Sequence, residues 1–306
     1  MLQCHGRPAS RHFLIAQLEY LSLPAMESRA RLKLPKLGGL NHLERLLQLR
    51  QDSVLSTDAI FISLDLEVAS DRERLHLSSE KPLVRQLGFA RLDTRDIHSL
   101  SSSSNLESLI LLSMFETNAL PKSKGLERPC LFAQTQRIAP NQIPTIIRQN
   151  LYIQDSHTQQ KNALRKIVLV GHSIRGDLKI LHLLGIEVAS LVQILTIIDT
   201  HSMSRFLFPP FHPSLPTMPG QKFSLAGVLA ELGYTPRPWG FHNAGNDAVY
   251  TLYVMVLLAM KRVDTRASEL SEGESTSLEG IRCAVSNAVN GGLFCASEGV
   301  SSWTTP

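Results

Sequence analysis

The chain has 306 residues, 43% of them hydrophobic and 19% charged. That balance describes a globular protein with a sizeable core and excludes a disordered or fibrous chain. The net charge of +4 is confined to residues 1–53, where eight Lys or Arg (Arg7, Arg11, Arg29, Arg31, Lys33, Lys36, Arg45, Arg50) face four acids (Glu19, Glu27, Glu44, Asp52), so residues 54–306 are neutral overall. A basic arm of this kind can help hold nucleic acid and is otherwise a solvated extension.

The remaining global features concern location. The longest apolar run, Thr251 to Met260, is too short to span a bilayer, which excludes a membrane partner. The four cysteines (Cys4, Cys130, Cys283, Cys295) are scattered without a Cys-x-x-Cys pair, as expected of free thiols in a reducing compartment rather than of a zinc site. No segment has the pattern of a secretory signal. The acid-free start up to Glu19 is a weaker match to an organellar presequence than the whole is to a cytoplasmic or nuclear address.

In chain order, Leu40, Leu43, Leu46 and Leu47 space a helix within a basic N-terminal extension, residues 1–57. A domain over 58–262 opens on the strand Ala59–Val68, whose apolar residues on both sides of the pleat mark it as interior. A polar loop leads to a second strand at Leu87–Leu92, paired with the first. Residues 99–128, with Ser101 to Ser104 and a Pro, Lys and Gly-rich end, read as an insertion. Cys130–Ala133 is expected as a third strand, and a polar helical segment leads through Gln159 to Lys166.

The second half alternates strand and helix. Ile167–Val170 reads as a buried parallel strand stopping at Gly171, followed by a helix from Ile174 to Leu184 and a strand from Gln193 to Ile198. A proline-crowded loop precedes a helix at Ser224–Leu232, and an apolar helix runs from about Asn246 to Lys261. Residues 263–306 turn to Ser, Glu, Gly and Thr and read as a disordered tail. Strands first, then alternation, predicts an α/β fold: a mixed sheet with helices on both faces.

The informative residues are acids in apolar places. Asp65 and Glu67 stand two apart on the first strand, so both point to one face, where they repel each other unless a divalent cation lies between them. The triplet Asp71-Arg72-Glu73 has the same spacing in a wholly polar run and reads as a solvated loop. Asp177 stands in the first turns of the helix after the buried strand, where the helix dipole alone accounts for an acid. His242 and Asp247 flank the start of the last apolar helix among the small residues Ala244, Gly245 and Ala248, which permit close approach of a sheet or substrate.

The set Asp65-x-Glu67, Gly171-His172 with Asp177, and His242-x-Ala244-x-x-Asp247-Ala248 resembles the three sequence blocks of the DEDDh 3′–5′ exonucleases, which have the ribonuclease H-like fold. The resemblance covers residues 58–262. The neighbourhoods Leu87–Asp96 and His242–Ala248 are similar to one fungal branch, associated with messenger-RNA export suppression and Argonaute-linked silencing. It implies two Mg²⁺ or Mn²⁺ ions held by Asp65, Glu67, Asp177 and Asp247, with His242 as general base. The implied reaction releases nucleoside 5′-monophosphates from the 3′ end of a single-stranded nucleic acid, RNA favoured, with RNA-processing or silencing proteins as partners.

This chain departs from the family where many members follow the first Glu with Thr and a small residue. Here Val68, Ala69 and Ser70 stand there, and Gly176 replaces an aromatic before Asp177, which bears on substrate choice. One alternative is a catalytically weak RNA-binding or scaffold module of the same fold. A more distant one is an α/β-hydrolase with Ser173 as nucleophile, Asp199 as orienter and His242 as base. Against it, Arg175 stands where the elbow needs Gly, and Asp65, Glu67 and Asp247 are left unexplained.

Overall fold

Ala59–Val68 (β1) is rich in Ile, Leu, Phe and Val, and its first six residues are all buried, which only a strand covered on both faces permits. It pairs antiparallel with Val84–Asp93 (β2), which pairs antiparallel with Leu111–Thr117 (β3), and Thr135–Ile138 (β4) joins β3 in parallel. On the other side of β1, Lys166–Gly171 (β5) and Ile194–Asp199 (β6) add in parallel. The six-stranded order is β4-β3-β2-β1-β5-β6. This computed structural model describes residues 35–50, 58–70, 81–118, 128–158, 163–208, 223–236 and 240–290, with the backbone of 294–295. All belong to the unit Lys33–Pro306.

Helices cover both faces. Ile60, Ile62, Leu64 and Leu66 point to one side, where Ile143–Leu151 (α4, after Leu40–Leu46, α1; Thr94–His98, α2; and Leu106–Leu109, α3) and Arg175–Leu183 (α5) bury Ile143, Ile147, Leu151 and Leu181 against them. Val188–Leu191 (α6) closes this layer with Val188. Ala59 and Phe61 point to the other side. There Thr200–Leu207 (α7), Leu225–Glu231 (α8), Ala244–Asp264 (α9) and Glu272–Asn290 (α10) gather with α1. The helix α9 is buried almost all round, as an apolar helix between a sheet and other helices must be: it lies on β1, β2 and β3 under α1, α7 and α8. Each large side chain so covered, Phe61 or Tyr253 for example, contributes roughly 1.5–3 kcal/mol of apolar burial.

Several expectations need correction. Cys130–Ala133 is not a strand, because the Leu131 N–H is taken by the Asn246 side chain at 2.8 Å instead of a strand partner. The third strand is β3, inside the expected insertion 99–128, where Met114 and Phe115 are buried in register with Gly88 and Leu87. Of the helix placed through Gln159 to Lys166, residues 159–162 lie outside the described residues and Arg165 and Lys166 are not helical; a helix lies earlier, as α4, where Ile143, Ile147 and Leu151 recur every fourth residue.

The tail expected from 263 is also ordered as far as 290. Ser271 and Glu274 form a capping box, with the Ser271 N–H donating to Glu274 Oε2 at 2.9 Å and the Glu274 N–H to Ser271 Oγ at 3.3 Å. Leu278, Ile281, Val285 and Ala288 then supply a helical stripe buried in the main core. The buried carboxylate of Glu44 on α1 takes Arg266 at 3.0 Å, so part of the expected N-terminal extension is locked to this region. The basic arm before residue 35, the Asp71-Arg72-Glu73 loop, the loop prolines from Pro209 to Pro219, Pro238 and Trp239, and residues 296–306 lie outside the described residues.

Two devices decide where β1 lies relative to its neighbours. At its start, the buried Arg165 guanidinium pairs with Asp58 at 2.6 Å and Asp93 at 2.7 Å and donates to the Ala59 carbonyl at 3.2 Å, tying the end of β2 to the beginning of β1 and β5. Near its other end, Asp65 faces Gly88 across the β1–β2 ladder. A Cβ on Gly88 would lie 1.9 Å from the Ala244 carbonyl oxygen and 2.6 Å from the Gly245 nitrogen, so only glycine lets the first turn of α9 reach the sheet.

The Gly88→Ala substitution is therefore expected to destabilise the protein by about 1–3 kcal/mol or more, since rigid backbone has to move. Gly176 on α5 has nothing within 4 Å of its added Cβ. Gly176→Ala is expected to stabilise by ~0.5–1 kcal/mol. Equal thermal midpoints for Gly88→Ala and wild type would show that α9 does not rest on this contact.

Candidate functional site

The sheet is uneven at its upper edge, and the acids gather at the step. The β1–β5 ladder ends at Ser63 opposite Val170, while β1 continues to Val68 alongside β2. Asp65 and Glu67 thus stand on an overhang, on the face that α9 covers. They are half-buried, and Asp247, in the first turns of α9, is buried beside them. Each of the three offers a carboxylate oxygen within 4.8 Å of the others.

Asp177 does not join this trio. It sits in the first turn of α5, below the sheet, and its Oδ1 accepts the Leu66 N–H at 3.1 Å. That N–H points to the side where β5 has already ended, so Asp177 replaces the missing ladder partner. Its charge still reaches the trio and disfavours ionisation of Asp65.

The loop before α9 sets the remaining groups. Asn243 caps the helix by accepting the Asn246 N–H at 3.1 Å, and Gln86, opposite Glu67 on β2, accepts the Ala244 N–H at 3.2 Å. The His242 N–H donates to Asp247 Oδ2 at 2.9 Å. His242 itself is exposed and has a φ of 59°, a left-handed conformation uncommon outside glycine.

Burial and like charge act together on the acids. Burial and then the charges of Asp247, Asp177 and Glu67 hold the Asp65 carboxyl well above the usual range. Burial and the charge of Glu67 push Asp247 up to about 8, against the backbone N–H bonds it accepts. Burial pushes Asp177 up to about 7 despite the Leu66 N–H. Glu67 is raised by burial, with His242, Arg85 and Arg128 opposing.

A divalent cation fits this arrangement. Asp247 Oδ1 is buried without a hydrogen-bond partner, and the adjoining donors are all carboxylate oxygens, the preferred ligands of hard cations.

The hydrolase arrangement is not formed. Asp199 accepts from the Ser173 N–H at 2.9 Å, the His201 N–H at 3.2 Å and Ser202 Oγ at 2.8 Å, while the hydrogen bond that fixes the His242 backbone goes to Asp247. His172 is likewise structural: its ring contacts Thr200 Oγ1 at 2.9 Å and donates Nε2–H to the Phe223 carbonyl at 2.7 Å. Burial lowers its pKa to about 4. Sequence reasoning missed Gly88, Gln86, Asn243 and Asn246 as site builders. A glycine inside an otherwise apolar strand, and Asn three before Asn at a helix start, are the signals that could have found them.

Residues 60–258 match the family model described as the DNA polymerase III subunit epsilon-like, C-terminal domain, the DEDDh group. No curated protein matches the chain significantly.

The acids also set a pH dependence. In the unfolded chain Asp177 and Asp247 titrate near the ordinary 3.8, in the folded one at about 7 and about 8, so between these values the folded state binds more protons. Their contribution to stability is complete below the unfolded pKa and is lost as pH rises through the folded pKa values. Without metal, the thermal midpoint should fall between about pH 5 and about pH 8. Glu67→Gln, which removes the like charge acting on both, should flatten that fall and raise the midpoint at the upper pH by about 2–8 °C. A variant with the wild-type slope would mean the carboxylates do not repel one another in the folded state.

Proposed function

The chain belongs to the DEDDh exonuclease family, and from that membership we propose that it is a metal-dependent 3′–5′ exonuclease acting on single-stranded nucleic acid, RNA favoured. The observation that carries this reading is the meeting of Asp65, Glu67 and Asp247 around a buried, unpartnered Asp247 oxygen.

In this reading Asp65, Glu67 and Asp247 hold divalent cations, with Asp177 beside them as the fourth acid of the set. Two bound Mg²⁺ or Mn²⁺ ions would supply Lewis-acid charge that makes a water nucleophilic at neutral pH and stabilises the leaving oxygen. The rest falls to this chain. His242 is exposed, its backbone N–H is bound to Asp247 and its charge acts on Glu67, and in this reading its imidazole accepts the proton of the attacking water. The water oxygen bonds to phosphorus, the bond to the 3′ oxygen breaks, and that oxygen leaves with a proton. The product is a nucleoside 5′-monophosphate.

The preference for RNA rests on the likeness of Leu87–Asp96 and His242–Ala248 to the fungal branch. The same likeness extends the proposal to work alongside RNA-processing or silencing proteins in the cytoplasm or nucleus. No helix among the described residues is long and apolar enough to cross a membrane. Residues 1–53 carry the basic excess that suits a polyanionic substrate. A second reading, a binding module that has lost hydrolysis, draws on Asp177, whose oxygen is committed to the Leu66 N–H, and on Val68 and Ala69 beyond Glu67.

Degradation of 3′-labelled and 5′-labelled single-stranded RNA and DNA with Mg²⁺ or Mn²⁺ separates the two. The enzyme shortens substrates from the 3′ end, Asp65→Ala lowers the rate at least ~10³-fold, and His242→Ala lowers it ~10²–10⁴-fold. Binding without metal-dependent shortening is the result that selects the module.

A further inference from the structure

Arg128–Leu131 lies outside the sheet yet is tied at four points to the loop and first turn that carry His242 and Asp247. The Arg128 guanidinium donates to the Phe241 carbonyl at 2.7 Å, and Asn243 Nδ2 donates to the Arg128 carbonyl at 2.9 Å. Asn246 Nδ2 donates to the Pro129 carbonyl at 3.0 Å, while Asn246 Oδ1 accepts the Leu131 N–H at 2.8 Å. Three of these ties use only the backbone of 128–131 and would survive any side chain at 128. The first depends on the arginine.

That first tie falls on a particular peptide plane. The plane between Phe241 and His242 presents a carbonyl at one end and an N–H at the other. Arg128 takes the carbonyl, and Asp247 Oδ2 takes the N–H at 2.9 Å. With both ends of this plane held, and the chain beyond it held through Asn243 and the Ala244 N–H, His242 is kept at a φ of 59°, in the left-handed region that a side-chain-bearing residue seldom adopts unaided. That φ sets the direction in which the His242 Cα–Cβ bond leaves the backbone. The Arg128 charge also favours the ionised forms of Glu67 and Asp247, which places it close to the acids.

We infer that Arg128 is a positioning residue: it pins the Phe241–His242 peptide plane from the carbonyl side and so aims the His242 imidazole at the acid cluster. The inference rests on the role given to His242 in the proposed exonuclease reaction. It assigns Arg128 no contact with substrate.

The test compares wild type with Arg128→Met, which keeps length and loses every donor, and with Arg128→Lys, which restores charge and one donor. Thermal midpoints are measured first, to establish that each variant folds. The imidazole resonances of His242 are then recorded on metal-free protein, assigned with His242→Ala, alongside kcat and KM on a labelled oligoribonucleotide with Mn²⁺. The expected result is a shifted or broadened His242 resonance in Arg128→Met, kcat lower by tenfold or more, KM within twofold of wild type, and partial recovery in Arg128→Lys. An unchanged His242 resonance overturns the inference whatever the kinetics, and so does a rise in KM at unchanged kcat, which makes Arg128 a substrate contact. Should the wild type itself not degrade nucleic acid, the exonuclease reading fails, and the resonance alone decides the inference: altered supports it, unchanged overturns it.

Discussion

Holding carboxylates beside one another in a poorly solvated place is the constraint on which the site depends. Asp65, Glu67 and Asp247 repel each other there: burial raises the pKa of all three, and like charge adds to that rise for Asp65 and Asp247. A cluster of this kind persists only if the surrounding fold is more stable than the repulsion is costly. The stability comes from α9, whose buried length between sheet and helices sets the position of its first turn. Glycine at 88 then removes the one side chain that would hold that turn off the sheet.

Backbone groups do the finer placing. Asp177 takes the N–H that β1 leaves free where β5 stops, Asp247 takes the His242 N–H, and Gln86 takes the Ala244 N–H. Each bond satisfies a polar group that the uneven sheet edge or the helix start would otherwise leave open. The same bonds orient the acids, so satisfying the backbone and building the site are one operation. Asp247 Oδ1 is buried without a hydrogen-bond partner among the described residues, and it points to a cation because it stands between other carboxylates.

The far end of the sheet is treated differently. Arg165 and Arg95 join Asp58, Asp93 and Asp155 in an ion-pair network, so each carboxylate there has a guanidinium partner within the protein. At one end of β1 the carboxylates are thus paired with guanidinium groups, while at the other three carboxyl groups face one another. That asymmetry along a single strand separates the structural end of the sheet from the chemical end.

Much of this was legible in the sequence. Period-two alternation and apolar runs identified β1, β2, β5 and β6, and helical spacing identified α5, α8 and α9, because those elements are stabilised by burial that leaves a local pattern. The residue types Asp65, Glu67, Asp177, His242 and Asp247, standing in apolar surroundings, marked the acidic chemistry. What sequence alone did not determine was anything set by distant partners. The segment 130–133 has a strand's composition but is taken by Asn246, and α10 has a tail's composition, yet its capping box and apolar stripe meet a core supplied by α9 and α3. Likewise, only the tertiary structure decided that three acids meet while Asp177 turns to a backbone N–H, because that depends on where β5 ends beside β1.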